Sequence, residues 1–242
     1  YIYCTIDTNP QSKISFTSID KKLKFVSELT DDLNTNGDLM LHKAVYKYVM
    51  DNFNKKVLLP LDITTYSEIP SGSGLGSSST IVVAMLVAYM KLLNIHIDEY
   101  EVAEIAYFIE REYCKLDGGM QDQYSASFGG FNHIIFEKSG DVIVNKVNLS
   151  RDVILELESK TLLFYTGISR DSEDIISHQK ESIINNEVSV LNSMHKLKKE
   201  VDIMKDALNS SDISTFSESL NMSWKYKKNT ADKISNSYID EI

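Results

Sequence analysis

Apolar and polar residues alternate along residues 1–6 and 12–17, and more weakly along 23–27, the two-residue period of half-buried strands. The period then lengthens. "LMLHKAVYKYVMDNF" (39–53) has helical spacing, and "VLLPLDITTY" (57–66) returns to strand character. "TIVVAMLVAYMKLL" (80–93) is apolar almost all round, which predicts a buried helix. "DEYEVAEIAYFIEREYC" (98–114) predicts a second helix, with Asp98 as its N-cap. A turn at Gly118 and Gly119 leads into "QDQYSASFGG", and strands are expected at 131–137, 141–147 and 160–165. Residues 172–208 form a long polar helical stretch without proline, and a shorter helix covers roughly 211–228. The change of character near residue 150 predicts two lobes: a mixed α/β half over 1–150, and a half of strands and long helices over 151–242.

Composition narrows the partners. The net charge of −10 argues against nucleic acid and anionic membranes, so any anionic ligand must be held by backbone amides and a few placed cations. The two cysteines, Cys4 and Cys114, are too few for a disulfide framework or a cysteine metal cluster, and suit a reducing cytoplasm. No secretory signal is visible and no apolar run reaches the ~18 residues of a membrane span. The opening "YIYCTID" reads as the middle of a strand and the closing "SNSYIDEI" as the start of a helix, so both ends look cut.

The chemistry gathers around "IPSGSGLGSSST" (69–80). Three of the chain's ten glycines fall at 72, 74 and 76, between a strand and a buried helix and directly before a run of hydroxyls. A helix N-terminus offers unpaired N–H groups and a partial positive charge. Glycines permit positive φ and let a phosphate approach without meeting a Cβ. Serine hydroxyls add donors and can ligate the Mg²⁺ that travels with a nucleotide. The stretch is not a Walker A loop, because the first lysine after it is Lys91. Nor is it the dinucleotide fingerprint, whose glycines are spaced G-x-G-x-x-G. The plainer alternative is a flexible loop with a serine-rich N-cap.

Two carboxylates stand further along the chain. Ala103, Ala106 and Glu110 share one helix face, whereas Glu112 lies with Glu101 and Glu104 on the acidic outer face. A glutamate on an apolar face is costly without a partner, and a metal ion would serve as one. The alternative is that Glu110 borders the face and reaches Arg111 or water. Asp122 comes after a double-glycine turn, from which it could orient a sugar hydroxyl or simply remain a solvated turn aspartate.

"PSGSGLGSSST" resembles the second motif of the GHMP kinases, P-x-G-x-G-L-G-S-S-x. The resemblance implies a two-lobed α+β fold, with a first lobe like ribosomal protein S5 domain 2 and a ferredoxin-like second lobe. It implies ATP and Mg²⁺. Gly72, Ser73, Gly74, Leu75, Gly76, Ser77, Ser78 and Ser79 would form the phosphate loop, with Ser78 the hydroxyl nearest the metal and Ser77 its alternative. Glu110 would ligate Mg²⁺ and Asp122, twelve residues on, would be the base, with "MQDQY" similar to the galactokinase M-D-Q-F. "IEREYCKLDGGMQDQYSASFGGFNHIIFE" (109–137), "LLFYTGISRDSEDI" (162–175), "SWKYKK" and "ISNSYIDEI" (223–242) resemble a narrower branch, the kinases of D-glycero-D-manno-heptose 7-phosphate.

That branch implies phosphorylation of the anomeric hydroxyl to give the 1,7-bisphosphate, on a route to nucleotide-activated heptose. Its partners would be ATP and a sugar or sugar phosphate. Gly119, Gln121 and Arg170 are assigned to the acceptor side. Arg170 comes after the expected strand at 160–165 and could grip a phosphate, or pair with Asp171, Glu173 or Asp174. Met120 departs from the branch, where lysine or arginine is expected, and the family's first and third motifs are absent. The rival readings are a galactokinase-like kinase of an unphosphorylated sugar and a nucleotide-binding regulator without turnover.

Overall fold

The computed structural model describes residues 1–242 except 71, 167–171, 186, 232, 233 and 242. The chain is α+β and divides into two compact units, the first ending at Phe128 and the second beginning at Gly129. The β-hairpin over 132–146 therefore belongs with the helices of the second unit, and the change of character at residue 150 lies inside that unit.

The first unit is built on a four-stranded sheet. Its strands are β1 (Ile2–Thr8), β2 (Lys13–Ser18), β3 (Leu23–Glu28) and β4 (Leu61–Ser67), in the order β1-β4-β2-β3. β4 runs antiparallel to β1 and parallel to β2, so it is a central strand, hydrogen-bonded on both sides. Its register sets Ile63 beside Phe16 and Thr65 beside Ser18. These residues are buried against two helices, α1 (Met40–Phe53) and α2 (Ser77–Leu92). Burying Val82, Met85 and Leu86 of α2 stabilises this packing by about 1.5–3 kcal/mol per side chain. The buried His42 of α1 shares a 2.8 Å hydrogen bond with Thr65 Oγ1. Burial lowers its pKa to about 4.

β4 is shorter than the expected strand at 57–66. Lys55 and Lys56 take left-handed backbone, and Pro60 has no N–H to give a ladder. The helix expected over 98–114 is two pieces. α3 (Glu99–Tyr107) starts with a capping box between Asp98 and Glu101, and a π-helical turn (Phe108–Tyr113) continues it. "QDQYSASF", for which the sequence predicts no element of its own, is the helix α4 (Gln121–Phe128).

In the second unit β5 (Asn132–Phe136) and β6 (Val142–Lys146) pair antiparallel. Among the described residues that hairpin is the whole sheet, smaller than the ferredoxin-like lobe that the resemblance implies. The strand expected at 160–165 does not form. α5 (Arg151–Lys160) occupies the preceding segment, started by Ser150, whose side chain accepts a hydrogen bond from the Val153 amide. Leu162, Leu163, Phe164 and Tyr165 come next without regular structure, and all four are exposed. The long helix expected over 172–208 is divided into α6 (Ser172–Ile184) and α7 (Val188–Asn209). α8 (Ile213–Lys228) packs on α7, and the short α9 (Ser237–Asp240) lies near the end.

Candidate functional site

β4 ends at Ser67, and a turn carries the chain across the glycines into α2. Ser67 Oγ donates to the Ile69 carbonyl at 2.9 Å, and the Ser73 amide donates to the Pro70 carbonyl at 3.3 Å. Gly72, Gly74 and Gly76 have φ of +75°, +75° and +68°, the left-handed region that costs other residues about 1–2 kcal/mol. Backbone conformation, not crowding, demands glycine at 74, where an added Cβ would meet nothing within 4 Å. At Gly76 both apply, because a Cβ there would lie 3.2 Å from Asp122 Cγ.

The first hydrogen bond of α2 runs from the Thr80 amide to the Gly76 carbonyl at 3.1 Å. The amides of Ser77, Ser78 and Ser79 precede it and form the positive end of the helix. Leu75 and Ser78 are exposed, Ser73 and Ser77 half-buried, and Ser79 fully buried. Buried Ser73 Oγ finds no hydrogen-bond partner among the described residues.

Behind the helix start lies a buried polar cluster. Glu110, on the π-helical turn, has no exposed surface, and neither has Gln123 of α4. The Gln123 amide donates to Glu110 Oε2, and also to Ser79 Oγ at 3.1 Å. Glu110 Oε1 and Gln123 Oε1 are buried and accept no hydrogen bond among the described residues. π-Helical turns inside α-helices occur often at functional sites, where the extra residue re-aims a side chain. The charge of Glu110 reaches Cys114, whose thiol is pushed up to about 11, first by burial and then by that carboxylate. Burial pushes Cys4 up to about 12, and neither free cysteine has thiolate character at neutral pH.

The expected residues thus fall into groups. Glu110 is buried with Gln123 and Ser79, while Asp122, one residue earlier on α4, is exposed and lies against Gly76. Ser78 sits at the exposed start of α2, and the hydroxyl joined to Glu110 through Gln123 belongs to Ser79. Gly119 and Gln121 are exposed just before and at the start of α4. Arg111 holds that approach, donating from Nε to the Gly119 carbonyl at 3.3 Å and from Nη1 to the Asp117 carbonyl at 3.2 Å. Its guanidinium covers Gly118, where a Cβ would collide with it. Arg170 lies outside the described residues. Sequence reasoning missed Gln123 and offered Arg111 only as a partner for Glu110, whereas Arg111 bonds the Gly119 and Asp117 carbonyls. No sequence signal marked Gln123, because 121–128 has little apolar period; only the fold turns it inward beside Tyr124.

Among the described residues no three of His, Cys, Asp and Glu stand together as a metal cage. The site fits a cation that would share its ligands with phosphate oxygens, because Glu110 presents one buried oxygen that nothing among the described residues satisfies.

Comparisons with known proteins show the family. The family model of the GHMP kinases N terminal domain matches residues 40–130, which carry β4, the loop, Glu110 and Asp122. The chain belongs to the GHMP kinases, phosphotransferases that take ATP as donor. It is 39% identical over 242 residues to a D-glycero-alpha-D-manno-heptose 7-phosphate kinase of Campylobacter jejuni, spanning 100% of this chain and 70% of that one. The crystal structure of a D-glycero-D-manno-heptose 1-phosphate kinase from Bacteroides thetaiotaomicron is 33% identical with a TM-score of 0.79. That match covers 94% of this chain and 67% of the other. Lactococcus lactis galactokinase complexed with galactose, 16% identical, shares the fold with a TM-score of 0.66 over 98% of this chain and 69% of its own.

Proposed function

We propose that the protein transfers the γ-phosphoryl group of ATP to the anomeric hydroxyl of D-glycero-D-manno-heptose 7-phosphate, giving the 1,7-bisphosphate. For the chemistry, the carrying observation is the buried Glu110 carboxylate behind a glycine-rich helix start, with one oxygen left unsatisfied. For the acceptor, the support is the 39% identical relative, which is named a D-glycero-alpha-D-manno-heptose 7-phosphate kinase; the relative of known structure is named for the heptose 1-phosphate.

In this reading the segment from Gly72 to Ser79 wraps the nucleotide phosphates with backbone amides. Glu110 and the Ser78 hydroxyl would hold Mg²⁺, which would supply neutralisation of phosphate charge. Asp122 orients the acceptor and takes its hydroxyl proton. The anomeric oxygen then bonds to the γ-phosphorus as the bond from that phosphorus to the β-phosphate oxygen breaks, and ADP leaves. Arg170, Gly119 and Gln121 serve the acceptor, with Arg170 the local cation that an acidic protein needs for a sugar phosphate. The first lobe would carry the nucleotide machinery and the second would complete the kinase. Both would work in the cytoplasm; among the described residues no helix is long and apolar enough to cross a membrane.

A panel of acceptors tests the proposal. ADP release by the full-length protein is measured with Mg·ATP and heptose 7-phosphate, unphosphorylated heptose, galactose or fucose. The proposal expects the highest kcat/KM with heptose 7-phosphate. A preference for a free sugar would move the protein to a galactokinase-like role, and nucleotide binding without turnover on any acceptor would make it a regulator.

A further inference from the structure

Gln123 stands between two acceptors on two different elements. A carboxylate only accepts hydrogen bonds, so the end of the Gln123 side chain that faces Glu110 Oε2 must be its NH₂. The same NH₂ donates to Ser79 Oγ at 3.1 Å, so both of its protons are engaged, one on the π-helical turn and one on the first turn of α2. All three residues are fully buried.

The bond to Oε2 does two things. It compensates one oxygen of a buried carboxylate, whose charge would otherwise be very costly to bury. It also fixes the torsion of the carboxylate, leaving Oε1 as the oxygen that accepts nothing among the described residues. Had both oxygens been satisfied by the protein, a ligand would gain little from Glu110. Had neither been, the carboxylate would be free to turn.

The anchorage also fixes Asp122. Adjacent residues on a helix are about 100° apart. Turning Gln123 inward onto Ser79 and Glu110 therefore sets the rotation of α4 at which Asp122 lies on Gly76.

We propose that Gln123 is a positioning residue. Its carboxamide presents Glu110 Oε1 to the cation that accompanies ATP, and holds α4 so that Asp122 stays against the phosphate loop. The inference rests on the reading that Glu110 ligates that cation.

The test is Mn²⁺ binding, monitored by electron paramagnetic resonance in the full-length protein with a non-hydrolysable ATP analogue. Gln123→Met keeps length and volume and removes both polar ends together. It should weaken Mn²⁺ binding by roughly 10–100-fold, the range for groups that orient a metal ligand. Glu110→Gln should weaken it as well, and adding Gln123→Met to Glu110→Gln should cost nothing further, because Gln123 acts through Glu110. An unchanged affinity in Gln123→Met beside a weakened one in Glu110→Gln overturns the positioning role alone. An unchanged affinity in both removes the metal reading, and this inference with it. If Gln123→Met does not fold, Ser79→Ala removes one of the two anchors and should shift the affinity in the same direction. Wild-type affinity in Ser79→Ala would then overturn the proposal.

Discussion

Replacing Gly76 by alanine separates what a glycine does for the backbone from what it does for the neighbouring carboxylate. Two costs arise. Gly76 has φ of +68°, and alanine there should lose about 1–2 kcal/mol. The added Cβ would also come within 3.2 Å of Asp122 Cγ, closer than the ~3.5–4.0 Å at which carbon atoms pack comfortably. Asp122 is exposed and can move aside by a few tenths of an ångström at small energetic cost. The displacement therefore falls on activity. A misplacement of about 1 Å costs on the order of 10² in rate, so this smaller one should lower kcat by roughly three- to tenfold. Gly74→Ala carries the same backbone strain, at φ of +75°, with no atom nearby. Scanning calorimetry should find both variants less stable by similar amounts, about 2–8 °C in Tm. Steady-state kinetics should then find that Gly76→Ala costs no further turnover once Asp122 is asparagine. An equal loss of turnover in wild-type and Asp122→Asn backgrounds would refute the link between Gly76 and Asp122.

The remaining predictions concern single side chains. Asp122→Asn should lower kcat by about 10²–10⁴, the usual worth of a general base, with little change in nucleotide affinity; a loss under about tenfold would point to positioning alone. Arg170→Ala should raise KM for the sugar phosphate strongly and leave KM for ATP nearly unchanged; equal small effects would return Arg170 to a surface ion pair. His42 should make stability fall on acidification, because burial holds its pKa at about 4 while the unfolded chain takes up the proton near 6.5. Its contribution is complete above about pH 6.5 and is lost as the pH falls towards 4, amounting to about 3 kcal/mol. Urea unfolding across that window should show a steeper pH dependence than in His42→Gln, and identical slopes would contradict the assignment.

The strands of the first unit were legible because each keeps one face on the core, and α2 because it is apolar nearly all round. The tight entry to α2 was legible from its glycines, all three of which take positive φ. What was hidden depended on long-range contacts. "QDQYSASF" carries little apolar period of its own, and α4 is held by packing on α2 and α3 and by the buried bonds of Gln123. The π-helical turn at Glu110 adds a residue to the helix without any residue type that announces it. "TLLFY" has strand composition, but a strand needs a partner, and none pairs with it among the described residues. The helix of 151–160 was missed because its N-cap, Ser150, carries little weight in a polar stretch.

Phosphorus-31 NMR of the product tests the central claim most directly. The full-length protein is incubated with Mg·ATP and heptose 7-phosphate. A second phosphomonoester signal should grow as ADP appears, coupled to the anomeric proton of the sugar. ADP accompanied only by inorganic phosphate, or a new phosphate coupled to any other carbon-bound proton, would contradict transfer to the anomeric hydroxyl.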